Sequence, residues 1–574
     1  MKKILSGYAS IDKPWLDKYP EFLFAQRKYY RSINENLREV WADKDKCIIN
    51  YYDNQIKAGK FFERVDDVAK SLYALGVKEG DAIITSLESV PEFLQLFLAC
   101  ELVGCNIRNY TDEIRDGVGL IRESGAKLFF CHDYISRRDI ELIYEKTYVN
   151  KAILIEPFFS VVDKKGLRNN IISNVETIYR KYEPNSENEL LWSEFLTEGK
   201  NITEIPVPKK ENVLFVAYTS GTTGMPKAVL HTSATLLGVV RQLALFPSHE
   251  KNEIDTWLLT ILPPTLVAVV VAMMIYPLAD GKQLILDPFC RLEDLDIEMM
   301  HYKPNCWGLI PIFFDTLLDS KRIPDDYDMS YFKLFGFGAE PMTKRFIARV
   351  QDFLDKHNCK APFSSGYGQS EGGSDFTVCI GKEMIASGSA GIPLIDTTIA
   401  IFEEGTTKEL TYGQVGEVCK AGPGIMVGYS DSQMTKKVLK VHADGTTWLH
   451  TGDYGFMSPE GLLFVMGRQG IKVYPDKIVY PLAIENKILS YAGIKEAIVV
   501  AGKDNTNVGY EVPYLFVVPL DEMKEHLVVH EVMEHAKKVL LREEYPHDVF
   551  AIKKKPIAHF KTDRKYLQQK YGLL

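Results

Sequence analysis

The chain has 574 residues, of which 46% are apolar and 25% are charged, a composition that predicts a large buried core and argues against disorder. Its formal net charge of −9 at pH 7 argues against nucleic acid as a general partner, because no positive field would attract phosphates. The 9 cysteines lie apart without CxxC pairs, which predicts reduced thiols, a cytoplasmic location and no zinc site.

The first third of the chain shows alternating strands and helices. Its N-terminus, MKKILSGYAS, has no apolar core long enough for a signal peptide. Residues 62–75 repeat apolar side chains three and four apart, which predicts an amphipathic helix that ends at Gly76. A strand, a helix and a second strand are predicted at 77–85, 91–104 and 124–131. This βαβ order predicts a mostly parallel sheet covered by helices.

Residues 218–227, YTSGTTGMPK, form a loop rich in glycine and hydroxyl groups between two predicted strands. The glycines free the backbone to turn its amides toward a ligand, and the hydroxyls and the lysine can bind a polyphosphate. These residues are Thr219, Ser220, Gly221, Thr222, Thr223, Gly224 and Lys227. A Walker loop does not fit, because Pro226 precedes the lysine and a strand follows. A polar hairpin without function remains an alternative.

Residues 257–278 are almost all apolar and about as long as a bilayer span. Pro263 and Pro264 interrupt the stretch, and no basic flank would set an orientation in a membrane. We therefore expect a strand, a turn at the prolines and a buried helix from Leu266, with no transmembrane segment.

Two further segments combine a strand with a glycine-rich turn: 333–342 (KLFGFGAEPM) and 366–371 (GYGQSE). Two more motifs follow at 413–429 (GQVGEVCKAGPGIMVGY) and 448–455 (WLHTGDYG). Together with the 218–227 loop, these motifs resemble those of the adenylate-forming superfamily, which contains acyl-CoA synthetases, luciferases and the adenylation domains of peptide synthetases. The resemblance extends from about Phe62 to the C-terminus.

The resemblance implies a role for each motif. The 219–227 loop would hold the phosphates of ATP, and Glu371 would hold Mg²⁺, which prefers carboxylate and phosphate oxygens. Tyr367 would lie against adenine, Asp453 would accept the ribose hydroxyls, and Arg468 would donate nearby as a bidentate group. Further nucleotide contacts would come from Gly338, Ala339, Glu340, Gly368 and Ser370. A solvated surface acid remains the alternative for Glu371.

The last hundred residues show a pattern of their own, with alternating short strands and helices that begin at IKVY (471–474) and end in HFKTDRKYL (559–567). That ending resembles the terminal segment of the superfamily and makes Lys561 a candidate catalytic residue with Thr219 and Glu371. Lys565 is the fallback, and a frayed basic tail is the alternative. The predicted fold class is α/β: a large N-terminal domain (1–467) of helix-covered, mostly parallel sheets, and a small, mobile, mixed α/β lid domain (468–574).

The sequence departs from the superfamily in the part expected to move. Only Gln469 and Gly470 separate Arg468 from the next IK pair, although glycine there could still act as a hinge. Pro475 and Phe560 stand where the superfamily has glycine. Adenylation therefore follows from the motifs more directly than thioester formation with coenzyme A.

The predicted function is that of an ATP-dependent acid–thiol ligase, which adenylates a carboxylic acid and transfers the acyl group to CoA with release of AMP and pyrophosphate. Transfer to a carrier-protein phosphopantetheine or another nucleophile is one alternative, and a non-catalytic nucleotide-binding protein is another. No carboxylate stands at Thr265 or Leu266, where a substrate ammonium would need one, so a plain acid is expected. The resemblance implies an apolar pocket for a fatty or aromatic acid, formed by Leu266, Ile312, Phe313, Gly336 and Phe337.

Overall fold

A computed structural model describes residues 5–19, 30–110, 114–162, 171, 184, 186–219, 226–244, 255–338, 340, 342–361, 363–379, 384, 388–468, 470–474, 477–504, 509–520, 525–558 and 561–574. Several residues singled out by the sequence lie outside this set: Ser220, Gly221, Thr222, Thr223, Gly224, Ala339, Gln469, Pro475 and Phe560. Every structural statement below concerns the described residues.

Two large sheets dominate the described part of the chain. One has 8 strands, in the order Gly428–Tyr429, Lys227–Thr232, Val213–Thr219, Asn106–Asn109, Ala82–Ser86, Leu128–His132, Lys151–Ile155 and Glu189–Leu191. The other has 9, in the order Ile392–Pro393, Ser374–Val378, Phe363–Gln369, Leu334–Phe337, Cys306–Leu309, Thr256–Thr260, Gln283–Asp287, Cys47–Tyr51 and Asn54–Lys57. The central pairings are parallel, as the sequence predicts, and antiparallel pairs lie at the sheet edges.

Helices cover these sheets and fill the space between them. The helix Pro91–Val103 is buried along nearly its whole length, which explains why its apolar residues show no single face. The amphipathic helix predicted at 62–75 runs from Ala58 to Ala74 and buries its apolar face. The other α-helices are Ala9–Asp12, Ile33–Val40, Ile114–Glu123, Arg137–Lys146, Trp192–Glu198, Ser233–Ala244, Tyr276–Ala279, Leu295–Tyr302, Pro311–Leu318, Lys344–Lys356, Ser432–Val438, Pro481–Ile488, Glu525–Val539 and Arg564–Lys570.

The apolar segment 257–278 has the predicted structure of strand, turn and buried helix. Its strand is Thr256–Thr260, the prolines follow in a turn, and a π-helical segment, Val269–Ile275, leads into the helix Tyr276–Ala279. The π-helical form was not predicted, and such segments occur often at functional sites. No helix in the described part of the chain combines the length and apolar character needed to cross a membrane.

The remainder of the chain forms smaller, mostly antiparallel sheets. One contains Thr398–Phe402, Gly416–Ala421, Thr447–Met457, Leu439–Val441 and Leu463–Gly467. A second sheet pairs Ile471–Tyr474 with Lys477–Val479. In a third, Glu511–Pro519 lies between Ile494–Lys503 and Asp548–Ala551, and a fourth pairs Ile557–Ala558 with Lys561–Thr562. Residues between Ile471 and Val549 form an apolar cluster of their own. A boundary near residue 468 and a mobile lid stay predictions.

Candidate active site

A cavity of about 810 Å³ lies where the nine-stranded sheet, the π-helical segment and the C-terminal residues meet. Predicted site residues that line it are Leu266, Gly336, Gly338, Glu340, Tyr367, Gly368, Ser370 and Lys561. Ile312 and Phe313 do not line it. Phe313 is 1% exposed in the hydrophobic core and Ile312 packs against that core, because their helix packs against the helices Leu295–Tyr302 and Lys344–Lys356. Nothing is described of the Phe337 side chain, although its backbone ends a strand of the sheet.

The buried carboxylate of Asp453 joins three other side chains at one edge of the cavity. Its Oδ2 accepts hydrogen bonds from the Tyr367 hydroxyl at 2.7 Å and from the Gln369 amide at 2.5 Å. Its Oδ1 accepts from Arg468 Nε at 3.3 Å, which is a single contact rather than the expected bidentate one. Burial and this carboxylate raise the pKa of Tyr367, so its hydroxyl stays a donor.

Glu371 lies at the tip of the hairpin formed by Phe363–Gln369 and Ser374–Val378. It is only 9% exposed, which excludes the alternative of a solvated surface acid. Its Oε1 accepts a hydrogen bond from the Tyr429 hydroxyl at 2.8 Å, and Lys227 Nζ lies 5.3 Å from the centre of the Tyr429 ring. Glu371 therefore lies close to the end of the 218–227 loop.

The two ends of that loop are adjacent in space. Thr219 ends one strand of the eight-stranded sheet, Lys227 begins the next, and the two residues pair across the antiparallel ladder. The loop therefore connects the two strands that the sequence predicts on either side of it. Its middle residues, 220–225, lie outside the described residues.

His231 connects the two large sheets beside Glu371. Its Nε2 donates to the Ser370 carbonyl at 2.7 Å, and its Nδ1 lies 3.1 Å from Thr235 Oγ1. The ring is fully buried, and this burial lowers the pKa of His231 to about 4. The imidazole is therefore neutral at pH 7 and holds Ser370 by a hydrogen bond rather than by charge.

Lys561 reaches the cavity on a short hairpin that is attached to the rest of the protein through Glu340. The Thr562 backbone N–H and hydroxyl donate to Glu340 Oε1 at 2.5 and 2.6 Å, and Lys555 Nζ donates to Glu340 Oε2 at 3.1 Å. Burial opposes ionisation of Glu340, but Lys555 and Thr562 outweigh it and hold its pKa below the usual value. Glu340 thus binds the C-terminal hairpin, a role that the sequence did not predict.

Partial removal from water at the cavity wall and the nearby positive charge of Arg468 lower the pKa of Lys561, although its side chain remains partly exposed, while the carboxylates of Glu340, Asp453 and Glu371 act in the opposite direction. The ammonium of Lys561 therefore lies within electrostatic reach of the groups that the sequence assigned to nucleotide binding. The fallback, Lys565, lies on the exposed side of the next helix and does not line the cavity.

The structure places a carboxylate on the cavity wall at a position away from Thr265 and Leu266. Asp375 lines the cavity, and burial raises the pKa of its carboxyl group. Lys420 lies behind it, fully buried, with its pKa lowered to about 7 by that burial. Sequence reasoning looked for a carboxylate only near the prolines at 263 and 264, whereas the structure supplies one from another strand.

Other functional contacts also escaped the sequence analysis. Gln369, Tyr429 and Lys420 all stand within the quoted motifs, so their polar character beside assigned residues was a usable signal. His231 and Lys555 offered no such signal, because their partners are distant in the sequence.

Comparisons with known proteins show to which family the chain belongs. The model of a family described as AMP-binding enzyme matches residues 38–430, and the chain belongs to that family. The 4-coumarate–CoA ligase CCL1 of Humulus lupulus is 28% identical over 483 residues, which cover 82% of this chain and 80% of that protein. The 4-coumarate–CoA ligase 3 of Arabidopsis thaliana is 25% identical over 529 residues, which cover 90% and 86%. The predicted resemblance and the assignment as an enzyme are confirmed.

Solved structures confirm the α/β fold. The ATP-bound MatB from Rhodopseudomonas palustris has a TM-score of 0.76 and 19% identity, and the match covers 94% of this chain and 99% of that one. The anthranilate CoA ligase AuaEII in complex with anthranoyl-AMP has a TM-score of 0.75 and 15% identity, covering 95% and 98%.

The two cavity glycines Gly368 and Gly338 provide a matched stability test. A Cβ at Gly368 would overlap the Ser374 carbonyl, whereas a Cβ at Gly338 would meet nothing within 4 Å. We expect Gly368→Ala to lower the thermal unfolding midpoint of the ligand-free protein by several degrees, because the backbone beside Glu371 must move. Gly338→Ala should leave the midpoint nearly unchanged. Equal midpoints for the two variants, measured by circular dichroism, would contradict the tight hairpin.

Proposed function

We propose that the protein is an ATP-dependent acid–thiol ligase that adenylates a carboxylic acid and then transfers its acyl group to CoA. The observation that carries this proposal is that Lys561, which lines the cavity, lies within electrostatic reach of Asp453 and Glu371, although the three residues are far apart in the sequence. Because the predicted nucleotide-binding motifs and the acid pocket adjoin one cavity, ATP and the carboxylic acid can meet there.

The first half-reaction joins the acid to AMP. Asp453 would accept the ribose hydroxyls, and the 219–227 loop would hold the phosphates. The substrate carboxylate attacks the α-phosphorus of ATP, the bond to the β-phosphate breaks, and pyrophosphate leaves. Lys561 would bind the carboxylate and the α-phosphate as they meet, acting through position and charge rather than by proton transfer.

Glu371 is the residue that fits Mg²⁺. Its carboxylate is buried, and one of the two oxygens accepts a hydrogen bond from Tyr429. Hard divalent cations prefer carboxylate oxygens as ligands. When bound, Mg²⁺ would supply positive charge to the triphosphate. Lys227, beside Tyr429, would add a further positive charge for the departing pyrophosphate.

In the second half-reaction, the thiol of CoA attacks the carbonyl carbon of the acyl-adenylate, and AMP leaves. CoA is favoured as the acceptor over a carrier protein because the curated relatives are named CoA ligases. We further propose that residues 468–574 form a lid domain that moves between the half-reactions. A cytoplasmic location fits the 9 reduced cysteines.

The catalytic role of Lys561 is tested by substitution. Lys561→Ala should lower acid-dependent ATP–pyrophosphate exchange at least about 100-fold, because the transition state loses a positioned charge. The matched control is Lys565→Ala, which removes a nearby exposed lysine outside the cavity and should leave exchange within about twofold. Unchanged exchange in Lys561→Ala would refute the assignment.

The perturbed pKa of Lys561 predicts a pH dependence. The charged form is required, and burial and Arg468 depress its pKa. Exchange should therefore fall as pH rises, with a midpoint below the ordinary lysine value of about 10.4. In Lys561→Arg, whose guanidinium stays charged, this alkaline loss should disappear even where the rate is lower. If the wild type and Lys561→Arg lose exchange activity at the same high pH, a group other than Lys561 causes the loss.

The acceptor is tested by incubating the purified protein with ATP, Mg²⁺, CoA and a panel of fatty and aromatic acids. We expect acyl-CoA and AMP in equal amounts, detected by liquid chromatography with mass spectrometry. Dephospho-CoA and free pantetheine serve as controls for recognition of the CoA nucleotide. Acyl-adenylate that accumulates without acyl-CoA would instead favour a carrier protein or another nucleophile.

A further inference from the structure

The carboxylate of Asp375 is a polar group on the wall of the cavity that the proposed reaction does not use. Asp375 belongs to the strand Ser374–Val378, which pairs with the hairpin strand that carries Tyr367. A Cβ at Gly366 would come to 2.5 Å from Asp375 Oδ1, so the carboxylate lies directly over the glycine Cα. Gly366 lines the same cavity. The absence of a side chain there leaves room for this carboxylate.

The two oxygens of Asp375 have different surroundings. Oδ2 accepts a hydrogen bond from Ser374 Oγ at 3.0 Å. Among the described residues, no group donates to Oδ1. Oδ1 faces the cavity, where water can donate to it while no ligand is bound. An acyl group that fills the cavity displaces this water and leaves the carboxylate oxygen without a donor, at a cost in free energy, unless the acyl group itself donates to Oδ1.

Lys420 does not provide that donor. Its Nζ donates to the Gly372 carbonyl at 2.8 Å and lies 4.6 Å from the centre of the Phe376 ring. The interaction between Lys420 and Asp375 therefore acts through space. At pH values below its pKa of about 7, Lys420 supplies a balancing positive charge behind the strand, and it leaves Oδ1 available to the cavity.

The wall around Asp375 is mostly apolar, so this single acceptor can determine how a ligand is oriented. The segment between the prolines and Tyr276 contributes mostly apolar side chains to the cavity, including Leu262, Val269 and Met273. In a mostly apolar pocket, a few placed polar groups determine how a ligand is oriented. Burial also raises the pKa of Asp375, which is consistent with a carboxyl group removed from bulk water.

We propose that the acid substrate carries a hydroxyl group on its acyl part and that this hydroxyl donates a hydrogen bond to Asp375 Oδ1. This inference rests on the proposed ligase function and names its substrate class. A neutral donor fits better than an ammonium, because Lys420 already balances the carboxylate and a second positive charge would lie close to it. A plain fatty or aromatic acid would leave Oδ1 without a donor.

The first test uses matched acids in the pyrophosphate-release assay: aryl and alkyl acids, each as the plain, hydroxyl and amino form. For at least one scaffold, the hydroxyl form should have a kcat/KM about 10-fold or more above the plain form, as expected for a hydrogen bond to a charged acceptor. The alkyl amino form, which is an ammonium at neutral pH, should be no better than the plain form, whereas an aryl amine is a neutral donor. A preference for the alkyl amino form would overturn the neutral-donor assignment.

The second test removes the acceptor. Asp375→Val should abolish the preference, lowering kcat/KM for the hydroxyl acid about 10-fold or more while the plain acid keeps or gains activity. This change leaves Lys420 buried without a countercharge. The double variant Asp375→Val/Lys420→Met therefore tests for loss of the hydroxyl preference in a protein that lacks the buried lysine charge. Met273→Leu is the control, a volume-conserving change in the same wall that should keep the hydroxyl-to-plain ratio within about twofold.

The outcomes separate the two proposals. Activity with plain acids that equals or exceeds that with hydroxyl acids, in the wild type, overturns the inference and leaves the ligase function intact. A hydroxyl preference that survives in both Asp375 variants also overturns it, and assigns Asp375 to balancing Lys420. No activity with any acid of the panel overturns the proposed function and this inference with it.

Discussion

The active-site cavity depends on the contact between two hairpins, one from each large sheet. In the eight-stranded sheet, the strand Val213–Thr219 pairs antiparallel with the strand Lys227–Thr232, which carries His231. In the nine-stranded sheet, the chain turns back at Ser370 and Glu371. The hydrogen bond from His231 to the Ser370 carbonyl joins the strand Lys227–Thr232 to the turn that carries Glu371. Since burial keeps the imidazole neutral, this contact is a directional hydrogen bond, and it positions that strand and Glu371 relative to each other.

This arrangement follows from the architecture. Parallel strands place their carboxyl ends at one edge of a sheet, and helices on both faces leave that edge as the natural place for a ligand. Both sheets become antiparallel at the strands that border the site, and in the nine-stranded sheet the returning chain forms the tight turn that carries Glu371. The C-terminal hairpin then completes the site, because Thr562 and Lys555 bind Glu340 and carry Lys561 to the cavity.

Much of the fold and of the nucleotide site could be predicted because the signals are local. Strand and helix periodicity extends over contiguous residues, and the loop at 218–227 and the segment GYGQSE carry their chemistry within ten residues or fewer. Contacts between distant segments could not be predicted in this way. His231 and Ser370 are 139 residues apart, and Lys555 and Glu340 are 215 apart, so only the folded chain brings them together.

The acid pocket was the least predictable part. Apolar character alone does not distinguish a core residue from a pocket wall, which is why Phe313 was expected in the pocket although it lies in the core. The π-helical segment at 269–275 also changes which side chains face the cavity, since its turns are wider than those of an α-helix. Asp375 and Lys420 come from different sheets, so their joint effect on the pocket depends on tertiary packing.

A crystal structure with a non-hydrolysable acyl-adenylate analogue tests the central claim most directly. The account predicts the ribose hydroxyls at Asp453, the phosphate between Lys561 Nζ and the 219–227 loop, and the acyl group in the cavity beside Asp375. An analogue bound with its phosphate away from both Lys561 and that loop would contradict the account.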